Sequence, residues 1–299
     1  MEMSNNNIVE KLFATQEFAT LPPVTMKILE LLEDEKSRDM LDIKELARLI
    51  ETDASLTLKL IRIANSPLFA MRDYITSVQQ AIVILGLNKV TNIVLGISVF
   101  SKFLYTTVSG MQEVLNQYWW HTSSTGTVSK SLVKKIGADF KEKEFIGGLF
   151  HDIGKLAMLQ YDFELFKEMI NLVENEGKTD LEAEKSVYGI THPEVGAEIV
   201  RRWKLPKDFG AIIKHHIDFT QAPKENHTLI AVVNLSNMLC DIWGAGFYEG
   251  VKAIAFEESP EWQHIIKVAK NKDLDFEEIT FGLERDYENS AAFLRVMSS

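Results

Sequence analysis

Apolar side chains recur every three to four residues along most of this chain, the spacing of one helix face, and no run alternates as a half-buried strand would. Leu21-Pro22-Pro23 stops an N-terminal segment. Pro23 suits a first helical turn, after which Val24, Ile28, Leu31 and Leu32 share a face. Asp42 with Glu45 reads as a capping box for a short helix reaching Ile50. Thr52 or Asp53 caps the next helix, whose stripe is Leu56, Leu60, Ile63 and Ala64, and Asn65-Ser66-Pro67 ends it. Ser77 with Gln80 is a further capping box, Gly86 is a stop, and a fifth helix is predicted over 88–103. Small and polar residues around 106–110 mark a boundary. Beyond it the pattern predicts helices over 112–135, 142–158, 162–174, 193–203, 207–219 and 229–242. One more opens at Ser259-Pro260-Glu261 and another fills 275–296. The expected class is all-α in three stretches: a small helical subdomain over 1–107, a larger one over 108–250 and a helical extension over 251–299.

Composition narrows the function classes. With 299 residues, 46% hydrophobic and 25% charged, the chain can bury a real core. A net charge of -11 argues against general affinity for nucleic-acid backbones or anionic lipid. Cys240 is the single cysteine, so thiolate metal clusters and intrachain disulfides are excluded and a reducing, cytoplasmic setting is expected. The stretch 81–100 is the most apolar, but Asn88, Lys89, Thr91 and Asn92 interrupt it, and a membrane span needs roughly 20 apolar residues. No membrane partner is expected.

The candidate chemistry lies in Gly148-Leu149-Phe150-His151-Asp152-Ile153-Gly154-Lys155-Leu156. An imidazole beside a carboxylate, flanked by leucine and isoleucine, is costly to bury unless the two share a partner, and a divalent metal is the natural one. His121, His192, His215 and His216 lie on or beside apolar helical patterns in the same region, enough for one or two ions; His192 precedes Pro193 at a helix start. Taken singly, each of these four is an ordinary hydrogen-bonded histidine near a core. His227 and His264 read as surface residues. Gly147, Gly148 and Gly154 read as places of close helix contact, and Tyr118-Trp119-Trp120 as packing. The helices over 43–64, with Lys59 and Arg62, imitate a helix-turn-helix, but the acidic charge argues against nucleic acid as a partner. The acidic residues from Glu277 to Glu288 read as a solvated helix face.

Over residues 15–250 the sequence resembles the HDOD family (HD-related output domain) of the HD metal-dependent phosphohydrolase superfamily. The first half of the resemblance is Asp53-Ala54-Ser55-Leu56-Thr57-Leu58-Lys59-Leu60 through Ala64-Asn65-Ser66-Pro67, then 75–86. The second is Trp120-His121, the 148–156 segment, His192-Pro193-Glu194-Val195-Gly196-Ala197, Trp203-Lys204-Leu205-Pro206 and His215-His216. The resemblance implies an HD-type helical domain behind a small N-terminal helical subdomain. It implies His121, His151 and Asp152 as ligands of a first metal, with His192, His215 and His216 completing that site or a second. Lys155 would support a ligand from behind or contact a phosphate. Three departures stand out: Asn237 where HD enzymes carry a closing aspartate, with Asp241 as its alternative; neither the glutamate after His216 nor the later Gly-Tyr-Pro of the cyclic-dinucleotide phosphodiesterase branch, which argues against cyclic-dinucleotide hydrolysis; and Gln117 in place of that branch's acidic ligand. The expectation is a regulatory output protein with a degenerate or structural centre for iron, manganese, zinc or magnesium, acting through signalling proteins. The alternative is a phosphohydrolase acting on a nucleotide or phosphomonoester, with Asp152 and Lys155 as its catalytic groups. A nucleotide or phosphate ligand and a homodimer stay open.

Overall fold

The structure, a computed structural model, describes residues 10–11, 21–33, 43–66, 69, 73–104, 108–250, 255–271, 274–288 and 290–298. Among them there is no strand. Between residues 21 and 104 the described residues form α1 (Pro23–Glu33), α2 (Ile43–Glu51), α3 (Ala54–Ala64), α4 (Val78–Leu85) and α5 (Leu87–Phe103). Asp53 Oδ1 accepts from Leu56 N at 3.0 Å and so caps α3. Ser77 caps α4 by accepting from Gln80 N, while Gln80 reaches back to Thr76 N rather than to the cap residue. Asp42 and Pro67 lie outside the described residues. Gly86 separates α4 from α5 with φ of 90°, a conformation that favours glycine.

The second region is built on α6 (Met111–Lys135), the long central helix. Around it lie α7 (Lys143–Phe150), α8 (Ile153–Tyr161), α9 (Phe163–Glu176), α10 (Asp180–Val187), α11 (His192–Trp203), α12 (Lys207–His215) and α13 (His227–Cys240). Three more helices follow: α14 (Pro260–Val268), α15 (Phe276–Glu288) and α16 (Ala291–Ser298). Helices α7, α13, α15 and α16 all pack on α6, α5 packs on α7, and α8, α11 and α12 stack in turn.

Why a helix as polar as α6 can be central is local. From Thr122 to Ser129 its side chains are small and buried. The hydroxyls of Ser123, Thr125 and Thr127 donate to carbonyls one turn back, at 2.6, 3.1 and 2.9 Å, so several need no outside partner. That leaves a slim face for α7.

Four expectations change. The single helix expected over 142–158 is two, broken at His151-Asp152. The single helix expected over 275–296 is also two, α15 and α16. Helix α12 ends at His215 and a short 3-10 turn, Phe219–Gln221, follows. The short helix α10 was not expected. One segment, Lys224–Ala245, is long and apolar enough by composition to cross a membrane, but 67% of its most apolar window is buried inside the fold, as a core helix requires.

Candidate metal centre

The break between α7 and α8 makes the centre. His151 N still donates to Gly147 O at 2.8 Å, completing α7, but Asp152 leaves the helical path at φ -101°, ψ 19°. The two side chains therefore project from a corner instead of lying 100° apart on a straight helix. Two glycines bring partners to that corner. A Cβ on Gly148 would meet Gly126 Cα at 2.5 Å, so α7 touches the backbone of α6, which carries His121. A Cβ on Gly154 would meet His192 O at 1.9 Å, so α8 touches the start of α11, which carries His192.

Four imidazoles then face inward with a common tautomer. His121 Nδ1 lies 2.7 Å from Ala245 O, His151 Nδ1 2.8 Å from Gly148 O and His216 Nδ1 3.0 Å from Ile213 O. His192 Nδ1 lies 2.8 Å from Glu184 Oε1. Carbonyls and carboxylates only accept, so each Nδ1 carries a hydrogen and each ring, when neutral, turns an Nε2 lone pair to the centre. Those lone pairs meet: His121 Nε2 to His151 Nε2 is 3.1 Å, and His192 Nε2 to His216 Nε2 is 3.1 Å. Two lone pairs at such distances repel unless a proton or a metal ion lies between them.

Asp152 joins the two pairs. Its Oδ2 lies 3.6 Å from His121 Nε2 and 3.7 Å from His151 Nε2; its Oδ1 lies 3.2 Å from His192 Nε2 and 3.4 Å from His216 Nε2. Ligands about 2.1 Å from a tetrahedral ion are separated by about 3.4 Å, so both groups have the spacing of a coordination shell. Asp152 is fully buried, and neither oxygen accepts a well-directed hydrogen bond, though Lys155 Nζ pairs with Oδ2 at 3.0 Å. Buried, orphaned acceptors beside converging lone pairs fit a divalent ion. His121, His151 and Asp152, with Glu249 in the same reach, would hold one, and Asp152, His192 and His216 a second.

Charge points the same way. Burial opposes ionisation of Asp152, but Lys155, His151 and His192 hold its carboxyl well below the usual range. Burial lowers His151 to about 3. Burial also opposes a charged His192, yet Glu184 and Asp152 outweigh it and push the ring up to about 10. The surrounding carboxylates thus call for positive charge beyond the one buried lysine.

Lys155 does not face an open site. Its Nζ donates to Phe247 O at 3.4 Å and forms ion pairs with Asp180 Oδ2 at 2.9 Å and Asp152 Oδ2 at 3.0 Å, so it is ringed by partners of its own. Instead of reaching a phosphate, it supports Asp152 from behind. His215 is not drawn in: it is the last residue of α12, and the rotation to its neighbour puts His216 inside and leaves His215 half-exposed. Asn237 lies at the centre, but its Nδ2 donates to both oxygens of Glu249 at 3.0 Å. Asp241 Oδ1 is 4.0 Å from His121 Nδ1, and burial and the adjacent Glu249 push its carboxyl up to about 10. Gln117 sits outside the cluster, accepting from Tyr248. His227 and His264 are not lone surface residues: both are half-buried, ring to ring with Phe219.

Three carboxylates escaped the sequence reading: Asp180, Glu184 and Glu249. Two of them come from α10, whose start carries a capping box between Thr179 and Glu182, a T-x-x-E spacing present in the sequence. Glu249 follows an irregular turn after α13 and has no such signal.

A cavity of about 1040 Å3 opens beside the centre and reaches it at His216, Asn237, Asp241 and Glu249. Its described lining includes Glu174, Asp180, Glu258 and Glu261 besides Asp241 and Glu249, with Trp120, Phe247 and Tyr248, but no lysine or arginine.

The HDOD domain family model matches residues 18–219. An uncharacterised protein of Treponema pallidum (strain Nichols) is 24% identical over 228 residues, 73% of this chain and 42% of that protein, so the chain spans less than half of that relative. In fold it is similar to an HDOD domain protein of unknown function from Geobacter sulfurreducens, with TM-score 0.76, 24% identity and 97% of both chains covered. It is also similar to a candidate phosphohydrolase from Shewanella amazonensis SB2B, with TM-score 0.68, 19% identity and 98% and 100% of the two chains covered. A candidate signal transduction protein from Marinobacter aquaeolei VT8 has TM-score 0.66 and 18% identity, with 93% of this chain and 59% of that one covered. With the family match running over most of its length, the chain belongs to the HDOD family.

Proposed function

We propose that this is a regulatory output protein whose metal centre is structural and which acts by binding other signalling proteins. The observation that carries the reading is the cavity beside the centre. Phosphate esters are anions, and sites that transfer phosphoryl groups set cations around them. Here the described wall carries six acidic side chains, of which Asp241 is held neutral by burial and Glu249, and no lysine or arginine, and the one lysine behind it is spent on Asp152 and Asp180. The four imidazoles and Asp152 would hold two divalent ions that tie α6, α7, α11 and the end of α12 together. Assays of metal-supplemented protein against p-nitrophenyl phosphate and nucleoside phosphates should give no turnover above a metal-only control. Sustained hydrolysis that disappears in Asp152→Ala would contradict the reading.

The alternative, a metal-dependent phosphohydrolase, has one observation in its favour: two histidine pairs share a single carboxylate. A two-ion centre supplies charge neutralisation of a phosphoryl group during in-line displacement. In that case Asp152 would orient both ions, Glu184 would fix the His192 ring and Lys155 would hold Asp152 in place. A substrate entering past Glu174 and Glu258 would still meet negative charge.

A further inference from the structure

The ion that His121, His151 and Asp152 would hold lacks a fourth protein ligand on the helices that carry those residues. We infer that Glu249, from the loop after α13, is that ligand, and that Asn237 is the residue that positions it; this rests on the metal-centre reading above. Glu249 Oε1 lies 3.4 Å from His121 Nε2, within the spacing of the other pairs in the centre. Four donors, two imidazoles and two carboxylates, then make a closed set suited to zinc, iron or manganese.

A glutamate on a loop has many rotamers, and something must hold it. Asn237 does so from α13, its Nδ2 donating to both carboxylate oxygens at 3.0 Å. Asn237 is itself only 4% exposed. Lys155 Nζ, 4.0 Å away, adds attraction from the other side. A second consequence follows from chain order. Gly246, Phe247, Tyr248 and Gly250 flank Glu249 and also line the large cavity. Coordination through Glu249 therefore fixes one wall of that cavity, so metal loading and cavity shape are linked. Whatever partner segment or ligand enters the cavity meets a wall set by the ion.

The test uses the full chain, stripped of metal and titrated with Co(II) or Mn(II), with stoichiometry from elemental analysis and Co(II) absorption as a second readout. Wild type should bind two ions. Glu249→Gln, which is nearly isosteric, should bind one and lose the matching part of the Co(II) spectrum. Asn237→Ala should keep Glu249 but bind that ion about 10–100-fold more weakly. Asn237→Asp combined with Glu249→Gln should regain the second ion with a shifted spectrum, because the carboxylate is returned from the helix. Far-UV circular dichroism of each variant shows that it has folded. Glu249→Gln holding both ions at wild-type affinity overturns the inference alone. Wild type taking up no metal overturns the metal centre as well.

Discussion

Asp152 is the residue on which everything at the centre converges: two oxygens, four imidazole nitrogens within 3.7 Å and one ammonium. Removing it leaves lone pairs facing one another and Lys155 with one buried partner fewer, so Asp152→Ala should lose both ions. Breaking a buried pair costs about 3–5 kcal/mol, so the variant should also melt well below wild type by calorimetry; equal melting points would contradict the account. Away from the centre, Glu144 on α7 is buried with one oxygen lacking a partner. Burial and the adjacent Glu142 raise it from its ordinary 4.5 to about 7. The fold thus favours its neutral form. That contribution is fully present below pH 4.5 and is lost as pH rises through about 7. The shift corresponds to up to about 3 kcal/mol. Glu144→Gln should therefore be more stable than wild type at pH 8 and similar to it at pH 4.5. Parallel melting curves across that range would disprove the assignment.

At the scale of elements, periodicity made most helices legible, because amphipathic stripes and caps such as Asp53, Ser77 and Ser259 are local signals. The break at His151-Asp152 was not legible. Leu149, Phe150, Ile153 and Leu156 continue the apolar pattern straight through it, and what bends the chain is contact with α6 and α11. His121, His151, His192 and His216 were legible because imidazoles on apolar faces are conspicuous, whereas His215, expected with them, stays outside the cluster. Asp180, Glu184 and Glu249 were not, because carboxylates on short helices and loops look like ordinary surface. Asn237 was placed at the centre by resemblance, but its hydrogen bonds to Glu249 are visible only in three dimensions. Helix contact supplies its own prediction. Gly154 has no room for a methyl group against His192 O. Gly154→Ala must push α8 from α11, at a cost toward the upper end of about 1–3 kcal/mol. The metal group of Asp152, His192 and His216 should weaken while that of His121 and His151 persists. Retention of both ions with unchanged melting would show that the contact does not set the geometry.

For the whole molecule, the centre lies where the long α6 meets helices from both halves of the larger region, and α15 and α16 return from the C-terminal end to cover α6. Ions bound only by the folded chain stabilise it by mass action, by about 2.7 kcal/mol at a free concentration a hundred times Kd. In a protein of this size each kcal/mol moves Tm by roughly 2–4 °C. With two ions, stripping metal with a chelator should therefore lower Tm by about 10–20 °C, and adding zinc, manganese or iron should restore it. Such a shift, with no phosphate-ester turnover, is what a structural centre in a signalling protein produces.

The most direct test of the central claim is the metal content of the protein itself, measured by elemental analysis after metal supplementation and gel filtration, beside Asp152→Ala. The account predicts two divalent ions per chain in the wild type and none in the variant. A wild-type protein that emerges free of metal, or a variant that keeps its ions, would contradict it.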